Sequence, residues 1–383
     1  FGARDDQGVQ NTVHTAVTLG LVSGVLLAGV GFFAARGLLE LMSSPEDVID
    51  LATLYLKIYF LGMPMTMLYN FSSALLRAVG DTRRPLYFLI IACLVNIALD
   101  VVLVAVLGMG VLGAALATIL SQGVSAVLVL VSLTRAETVY RLDWKQVRFH
   151  GRLLGDILRV GVPAGLQSNM YAISNILIQT AINGFGTATV AAWTAHGKVD
   201  GFFWMILGAY GISITTFAGQ NFGAQKYDRI RRSVRVCLAL GFGSAVLMSV
   251  LYCSLVPYLL GLFTRDAEVV SIGLDMVRQL VPYYFTYVCI EILAGAARGC
   301  GCSLAPMLMT CGGVCMLRVA WIFILLPLRP ELSTVLVSYP ASWVFTSVLF
   351  IFYYLQGGWL RGRIRKMGYA PEERGRKKEA GAH

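Results

Sequence analysis

The stretch VLGAALATILSQGVSAVLVLVSLT, residues 111–134, has no charged side chain in 24 consecutive positions. A helix of this length rises about 36 Å, which is enough to cross a hydrocarbon layer of ~30 Å. The apolar residues from Val124 to Val131 do not alternate with polar ones, whereas the strands of a membrane barrel alternate in polarity along their length. The stretch therefore predicts a membrane-spanning α-helix.

Similar apolar blocks recur along the whole chain of 383 residues, of which 57% are hydrophobic and 14% are charged. A soluble domain carries roughly 25% charged residues, so lipid is the predicted environment for most of this chain. The sequence predicts an all-α, polytopic membrane protein with ten spans. Their expected bounds are 12–33, 48–70, 86–107, 111–134, 157–183, 187–218, 233–256, 268–297, 307–327 and 333–356.

The 31 Lys and Arg residues give a formal net charge of +10 and are concentrated on one side of the predicted membrane. With the spans above, 24 of them fall at the start, in alternate loops or within three residues of those loops, and in the tail, whereas the opposite loops hold only Arg36, Arg265 and Arg329. Basic loops of membrane proteins stay in the cytoplasm. We therefore expect a multi-pass protein of the cell (plasma) membrane with a cytoplasmic tail. Its basic residues are expected to meet anionic headgroups of the lipid bilayer and not nucleic acid.

The chain contains an internal repeat at a fixed offset of 221 residues, which is visible in short motifs and in single turn residues. The matching pairs are Phe1-Gly2-Ala3 and Phe222-Gly223-Ala224, Arg77 and Arg298, Gly80 and Gly301, and Pro85 and Pro306. Two halves that share one architecture are expected to repeat their turn residues in one register. The repeat therefore predicts two matching helical bundles.

The second half has two predicted spans before Phe222, beginning near Ile157, whereas the first half begins at Phe1 without them. We therefore expect a fragment whose parent has about 65 further residues, twelve spans and two halves that face a central cavity. The predicted domains are an N-terminal bundle lacking its first two helices (1–134), a cytoplasmic linker (135–156), a C-terminal six-helix bundle (157–356) and a basic cytoplasmic tail (357–383).

Four motifs resemble those of the multidrug and toxic compound extrusion (MATE) family of transporters. They are Gly161-Val162-Pro163 before a polar helix, Asn183-Gly184-Phe185-Gly186 followed by Ala191-Ala192-Trp193, Gly219-Gln220-Asn221-Phe222-Gly223-Ala224, and Arg77-Ala78-Val79-Gly80-Asp81 with Pro85. The resemblance covers the chain from the family's third helix to its tail. It implies two pseudo-symmetric bundles and cation-driven export of xenobiotics; the larger group also contains flippases for lipid-linked oligosaccharides.

Lys198 and Asp200 lie inside one predicted span, where an ionisable side chain costs about 2.5–3.5 kcal/mol and needs a partner or a function. Two residues apart on a helix, they point roughly 200° away from each other and cannot form an intrahelical pair. His196 lies one turn before Asp200 and shares its face. Lys198 and Asp200 are therefore predicted either to bind substrate and cation or to form a buried link between helices.

Glu291 is a second acidic candidate, and it lies on the same helix face as Tyr284 and Tyr287. A carboxylate beside aromatic rings suits an organic cation, which gains from opposite charge and from cation–π contact. The alternative is a structural ion pair with Arg318 or Lys198 from a neighbouring helix.

A polar stripe follows Pro163 at a constant spacing of four residues. Because lipid would leave its amides without hydrogen-bond partners, the stripe must face protein or water. The stripe is predicted either to bind substrate or to hold helices together. The resemblance to the MATE family, whose corresponding helix lines the cavity, implies substrate binding. Its members are Gln167, Tyr171, Asn175, Gln179 and Asn183.

The resemblance leaves the coupling ion open between H⁺ and Na⁺. Many relatives carry a proton-coupling Asp on a first helix that has no counterpart among the predicted spans. Some others carry an acid shortly after the Gly-x-Pro motif, where this chain has Tyr171. No cofactor and no metal site is expected, because Cys300-x-Cys302 has no second Cys or His pair at ligand spacing.

Other classes of function fit less well. A His-Glu-x-x-His metal motif does not occur, and the chain has four His residues, so we predict that the protein is not an enzyme. Channels usually surround an axis with symmetric subunits, whereas this chain repeats internally. We predict a monomeric, cation-coupled antiporter that exports amphipathic, often cationic small molecules by alternating access. The alternative is a flippase for a lipid-linked oligosaccharide or another lipid precursor, which would need several cations in its cavity.

Overall fold

The computed structural model describes residues 1–41 and 45–369, and within these ranges the chain is almost entirely helical and contains no strand. It divides into two compact units. Unit 1 comprises Phe1 and Ala3–Ile157, and unit 2 comprises Gly2 and the chain from Leu158 onward. The predicted all-helical class is confirmed.

Unit 1 is built from five helices that precede the segment leading to unit 2. Helix α4 continues into a π-helical turn, Val101–Val106. The helices are α1 Asp6–Leu41, α2 Ile49–Leu61, α3 Met63–Ala78, α4 Arg83–Asp100 and α5 Gly110–Thr134.

Unit 2 contains the remaining helices, of which α6 begins just before the unit boundary. Helices α9 and α10 form one apolar span, and so do α11 and α12. The helices are α6 Gly151–Asn183, α7 Thr187–Gly223, α8 Tyr227–Gly261, α9 Ala267–Leu280, α10 Tyr284–Gly299, α11 Leu304–Thr310, α12 Leu317–Leu325, α13 Leu332–Gln356 and α14 Gly358–Met367.

The described residues contain eight helical segments that are long and apolar enough to cross a membrane. Helices α2 and α3, bent by 45° at Gly62, make a ninth if they are counted as one span. The tenth predicted span corresponds to α6, which has 33 residues. Its length is sufficient, but it is absent from the apolar set because the amides of the polar stripe lower its hydropathy.

The two units repeat one another in the register that the sequence predicts. Helices α3 and α10 both begin and end 221 residues apart, as Met63–Ala78 and Tyr284–Gly299. The turns that follow them also match, because Gly80 and Gly301 have φ angles of 97° and 80°. Such left-handed backbone favours glycine, which explains why both turns of the repeat have glycine at the matching position. The predicted pair of matching bundles is confirmed.

One helix crossing is repeated together with its glycine. A Cβ atom added at Gly20 would lie 3.3 Å from the carbonyl oxygen of Met67, and one added at Gly241 would lie 2.8 Å from Val288 Cγ1. Gly20 and Gly241 are 221 residues apart, and so are Met67 and Val288. Helices α1 and α3 therefore pack in unit 1 as α8 and α10 pack in unit 2.

Small residues hold α7 and α10 at close distance in unit 2. A Cβ atom added at Gly295 would lie 2.9 Å from the carbonyl oxygen of Gly211, and one at Gly299 would meet the carbonyl oxygen of Thr215. Thr215 Oγ1 also donates a hydrogen bond of 3.0 Å to the Gly295 carbonyl. Residues four apart that are small on both helices allow this approach. The contact fixes the position of the side chains that α7 and α10 carry.

The segment predicted as a linker, 135–156, contains a short 3₁₀ turn at Trp144–Gln146. The Lys145 amide donates to Asp143 Oδ1 at 3.0 Å, and Gln146 Nε2 donates to Oδ2 at 2.9 Å. These bonds, the backbone one first, hold the pKa of the Asp143 carboxyl below its ordinary value.

The segment predicted as a tail, 357–383, begins with helix α14, and its residues from 370 lie outside the described ranges. The helix buries Trp359, Leu360 and Ile364 against Phe222 and Cys300, among other residues of unit 2. Its basic residues Arg361, Arg365 and Lys366 are exposed. The sequence-based prediction considered only the charge of this segment, but its apolar residues make it a packed helix.

Candidate functional site

A cavity of about 540 Å³ lies inside unit 2, between residues of α6, α7, α9, α10, α12 and α13. A cavity of this size suits a small organic ligand. Aromatic side chains dominate its walls, and one carboxylate and one guanidinium supply its formal charges. The aromatic residues are Tyr171, Trp193, Trp204, Tyr284, Tyr287, Tyr339 and Trp343.

Asp200 supplies the carboxylate of this cavity, and both of its oxygens accept hydrogen bonds. The Tyr284 hydroxyl donates to Oδ1, and the Trp204 indole nitrogen donates to Oδ2. Tyr284 is 2% exposed and stacks on Phe203, with ring centroids 4.4 Å apart. The carboxylate is therefore held in one orientation by neutral donors that are themselves packed.

Arg318 supplies the opposite charge and is 3% exposed. Its Nη2 donates to Ser342 Oγ at 3.0 Å, and its guanidinium carbon lies 3.9 Å from the centre of the Tyr339 ring. Within the ranges that the structure describes, its Nε has no hydrogen-bond partner and its guanidinium joins no ion pair. This cation is fixed by a hydroxyl and a ring and not by an acid.

The polar stripe of α6 only partly reaches the cavity. Tyr171, Asn175 and Gln179 line it, and the hydroxyls of Tyr171 and Tyr287 are 2.6 Å apart. Gln179 Nε2 also donates to Asn183 Oδ1 at 2.8 Å. Gln167 lies outside the cavity lining, and its Oε1 is buried without a partner among the described residues.

Lys198 lies apart from Asp200. It lines a separate, apolar groove of about 250 Å³ that also contains Val199, Phe202 and Leu255. The opposite directions of Lys198 and Asp200 follow from their spacing, as expected. The structure therefore places one of the two predicted charges in the aromatic cavity and the other outside it.

Glu291 is also outside the cavity lining. Its Oε1 lies 3.2 Å from Arg298 Nη2 on the same helix, and it contacts α7 at Gly211. The sequence suggested Arg318 or Lys198 as the ion-pair partner of Glu291, but the partner in the structure is Arg298. Arg298 follows Glu291 by seven residues, which is about two helical turns, so both side chains lie on the same face of α10. Tyr284 and Tyr287, predicted with Glu291, line the cavity instead with Asp200.

Several lining residues were not predicted from the sequence. On α7, Trp193 and Trp204 share one face with His196 and the predicted Asp200, at successive spacings of three, four and four, and this pattern could have revealed the two tryptophans. Trp343 and Arg318 come from other helices and share no pattern with Asp200. His196 is buried and its Nδ1 lies 2.8 Å from the Tyr252 hydroxyl, so it supports the wall behind Asp200.

The MatE family model matches residues 1–102 and 163–324, which is more than half of the chain. The chain belongs to the MatE family. This MatE chain is 28% identical over 377 residues to the probable multidrug resistance protein YoeA of Bacillus subtilis, covering 96% of this chain and 81% of that protein. It is 25% identical over 381 residues to the probable multidrug resistance protein NorM of Thermotoga maritima, covering 96% and 82%.

Solved structures share the fold of the MatE chain. A crystal structure of MATE in the bent conformation superposes with a TM-score of 0.88 at 20% identity, covering 94% of this chain and 81% of that one. A MOP superfamily transporter from Pyrococcus furiosus, whose reverse polarity of binding pocket is said to suggest a different function, superposes with a TM-score of 0.87 at 20% identity and the same coverage. These structures confirm the fold, and the match to the family model confirms the predicted family.

Proposed function

We propose that this MatE chain exports amphipathic, often cationic small molecules in exchange for protons or sodium ions, by alternating access. The observation that carries the proposal is the Asp200 carboxylate in an aromatic cavity of about 540 Å³. Aromatic faces attract organic cations and bury apolar groups, and a carboxylate adds opposite charge. The relatives named as multidrug resistance proteins support this substrate class.

The hydrogen bonds of Asp200 suggest how a coupling ion and a substrate compete. Both carboxylate oxygens accept, from Tyr284 and from Trp204. An indole N–H can only donate, whereas a phenol hydroxyl can donate or accept. A proton placed on Oδ1 toward Tyr284 therefore requires that hydroxyl to turn and accept. Protonation also removes the negative charge of Asp200 that attracts a cationic substrate, so the proton and the substrate compete for this carboxylate.

The charge distribution of the sequence supports a proposed setting for this activity. We infer that the chain works as a monomer in the cell membrane, with its basic loops and tail in the cytoplasm. Transport needs no cofactor and no chemical step on the substrate, so the protein is not an enzyme.

A flippase for a lipid-linked precursor is the second candidate, and the cavity does not favour it. The pyrophosphate of such a substrate would call for several cations. The cavity in unit 2 balances Arg318 against Asp200.

Reconstituted vesicles test the proposal. The protein, purified with any preceding segment of its natural chain, is given a proton gradient or a sodium gradient separately, and uptake of a fluorescent organic cation is followed. We expect one gradient to drive transport and Asp200→Asn to abolish it. Asp275→Asn is the matched control, because Asp275 forms an exposed ion pair of 3.7 Å with Arg278. Normal transport by Asp200→Asn would refute the site, and no transport under either gradient would refute cation coupling.

A further inference from the structure

Arg318 presents a buried guanidinium to the cavity and joins no ion pair within the described residues. A charged group at membrane depth is costly unless it is paired or serves a ligand. Ser342 and Tyr339 orient the group, but neither carries a negative charge. The described contacts therefore leave the cost of burying Arg318 without an ionic compensation.

Most N–H donors of Arg318 have no partner among the described residues. A guanidinium has five N–H donors in a fixed plane, and one nitrogen, Nη2, bonds to Ser342. Nε has no partner in the part of the chain that the structure describes, but it is covered by protein, so a ligand in the cavity would be met by the other hydrogens of Nη1 and Nη2. The Nη1–Nη2 edge of a guanidinium matches the two oxygens of a carboxylate.

Asp200 and Arg318 line the same cavity but do not form an ion pair with each other. Each charge is held by its own neutral groups, Asp200 by Tyr284 and Trp204 and Arg318 by Ser342 and Tyr339. Two opposite charges that are fixed separately form a dipolar site. Trp343 links the two, because its ring lies 5.8 Å from that of Trp204 and 5.7 Å from that of Tyr339. These aromatic rings suit the body of a ligand.

We propose that Arg318 is a specificity-determining residue that binds a carboxylate of the substrate, so that the cavity prefers zwitterionic aromatic molecules over plain organic cations. The cationic group of the ligand faces Asp200, and its carboxylate faces the free edge of the guanidinium. This inference deepens the proposed function and depends on it for transport, but ligand binding tests it without any gradient.

The test uses a zwitterionic xanthene dye with a free carboxylate and the cationic methyl ester of the same dye, so that the two probes differ in one charge. Fluorescence polarisation measures their binding to the protein in lipid nanodiscs. We expect the wild type to bind the acid dye roughly tenfold more tightly than the ester, as for a charged hydrogen bond. Arg318→Met should remove this preference, because the acid dye loses the partner of its carboxylate and the ester has no carboxylate to lose, while Arg318→Lys should retain part of it.

Asp200→Asn should weaken the binding of both dyes, because both contain the cationic ring system. Equal affinities of the wild type for the two dyes would overturn the proposal, and so would an equal loss of both in Arg318→Met. If Arg318→Met does not fold, the proposal is tested by two other measurements: the preference of the wild type for the acid dye and the reduction of that preference in Arg318→Lys. If the protein binds the acid dye more tightly but exports neither dye, the inference about Arg318 is supported and the proposed function is refuted. If the protein exports the ester and binds both dyes equally, the proposed function is supported and the inference about Arg318 is refuted.

Discussion

Tyr284 donates its hydroxyl hydrogen to Oδ1 of Asp200 and so joins the first residue of α10 to the middle of α7. The tyrosine ring is packed against Phe203 on α7, and this packing also holds the hydroxyl in position for the hydrogen bond. A carboxylate with one fixed rotamer presents the same oxygen to every ligand. The hydrogen bond from Tyr284 therefore determines how the Asp200 carboxylate is oriented toward a cation in the cavity.

Removal of this donor should impair transport. Tyr284→Phe keeps the packed ring but leaves Oδ1 without its partner, and a hydrogen bond to a charged group contributes about 1.5–3 kcal/mol. We expect the transport rate in vesicles to fall roughly tenfold. Tyr283→Phe is the matched control, because the neighbouring Tyr283 is exposed. Equal rates for the two variants would show that the bond is dispensable.

A methyl group at the close contact between α7 and α10 should destabilise the protein. Gly299→Ala places a Cβ atom against the backbone carbonyl of Thr215, which cannot move aside as a side-chain end can. Overpacking of this kind costs about 1–3 kcal/mol. Thermal unfolding in detergent should show a lower midpoint than Gly243→Ala, where a Cβ atom meets nothing within 4 Å. Identical midpoints would mean that the helices are not in close contact there.

The ion pair of Glu291 and Arg298 should stabilise the fold and not carry the substrate. Glu291→Gln leaves Arg298 half-buried without its acid, and we expect a loss of roughly 1–3 kcal/mol in the free energy of unfolding. The double variant Glu291→Gln with Arg298→Gln should recover most of this loss, because it removes both charges. A transport defect in Glu291→Gln that persists in a fully stable double variant would instead assign Glu291 to the transport path.

Helix α14 should protect two thiols. Cys300 is 2% exposed beneath α14, and Cys302 Sγ lies 3.8 Å from the Trp359 carbonyl oxygen. Burial raises the pKa of both thiols above the ordinary value. Since the thiolate is the nucleophile, both cysteines stay protonated and unreactive at neutral pH, and their reaction with a maleimide should become faster as the pH rises.

Trp359→Ala should expose Cys300 and accelerate its labelling severalfold at constant pH, as measured by peptide mass spectrometry. Trp144→Ala serves as the control, because Trp144 is exposed and belongs to unit 1. An unchanged rate for Cys300 in Trp359→Ala would show that α14 does not cover it.

The fold was predictable from the sequence because lipid and backbone geometry constrain single residues. The lengths of the apolar segments predicted the spans. Matching residues such as Gly80 and Gly301 revealed the repeat, since each of these two glycines occupies a left-handed turn. The packed helix α14 was not predicted. Its packing depends on which neighbours its apolar residues meet, and a charge count does not contain that information.

The candidate site was predictable only where its residues share a helix face. Asp200 was identified as an ionisable residue inside a span, and Tyr284 and Tyr287 were identified by their spacing along α10; the structure places all three in one cavity. Glu291 shares a face with Tyr287 but pairs with Arg298. Arg318 could not be assigned from sequence, because its partners Ser342 and Tyr339 come from a different helix.

The duplicated turn supplies an internal thermodynamic reference. A Cβ atom at Gly80 would meet nothing within 4 Å, whereas one at Gly301 would lie 2.7 Å from Arg363 Nη2 of α14. Alanine at either position incurs the same left-handed backbone cost, so subtracting one destabilisation from the other cancels it. What remains is the cost of moving the Arg363 guanidinium, whose Nε donates to the Cys300 carbonyl at 3.2 Å, and it is obtained by comparing two positions in a single molecule.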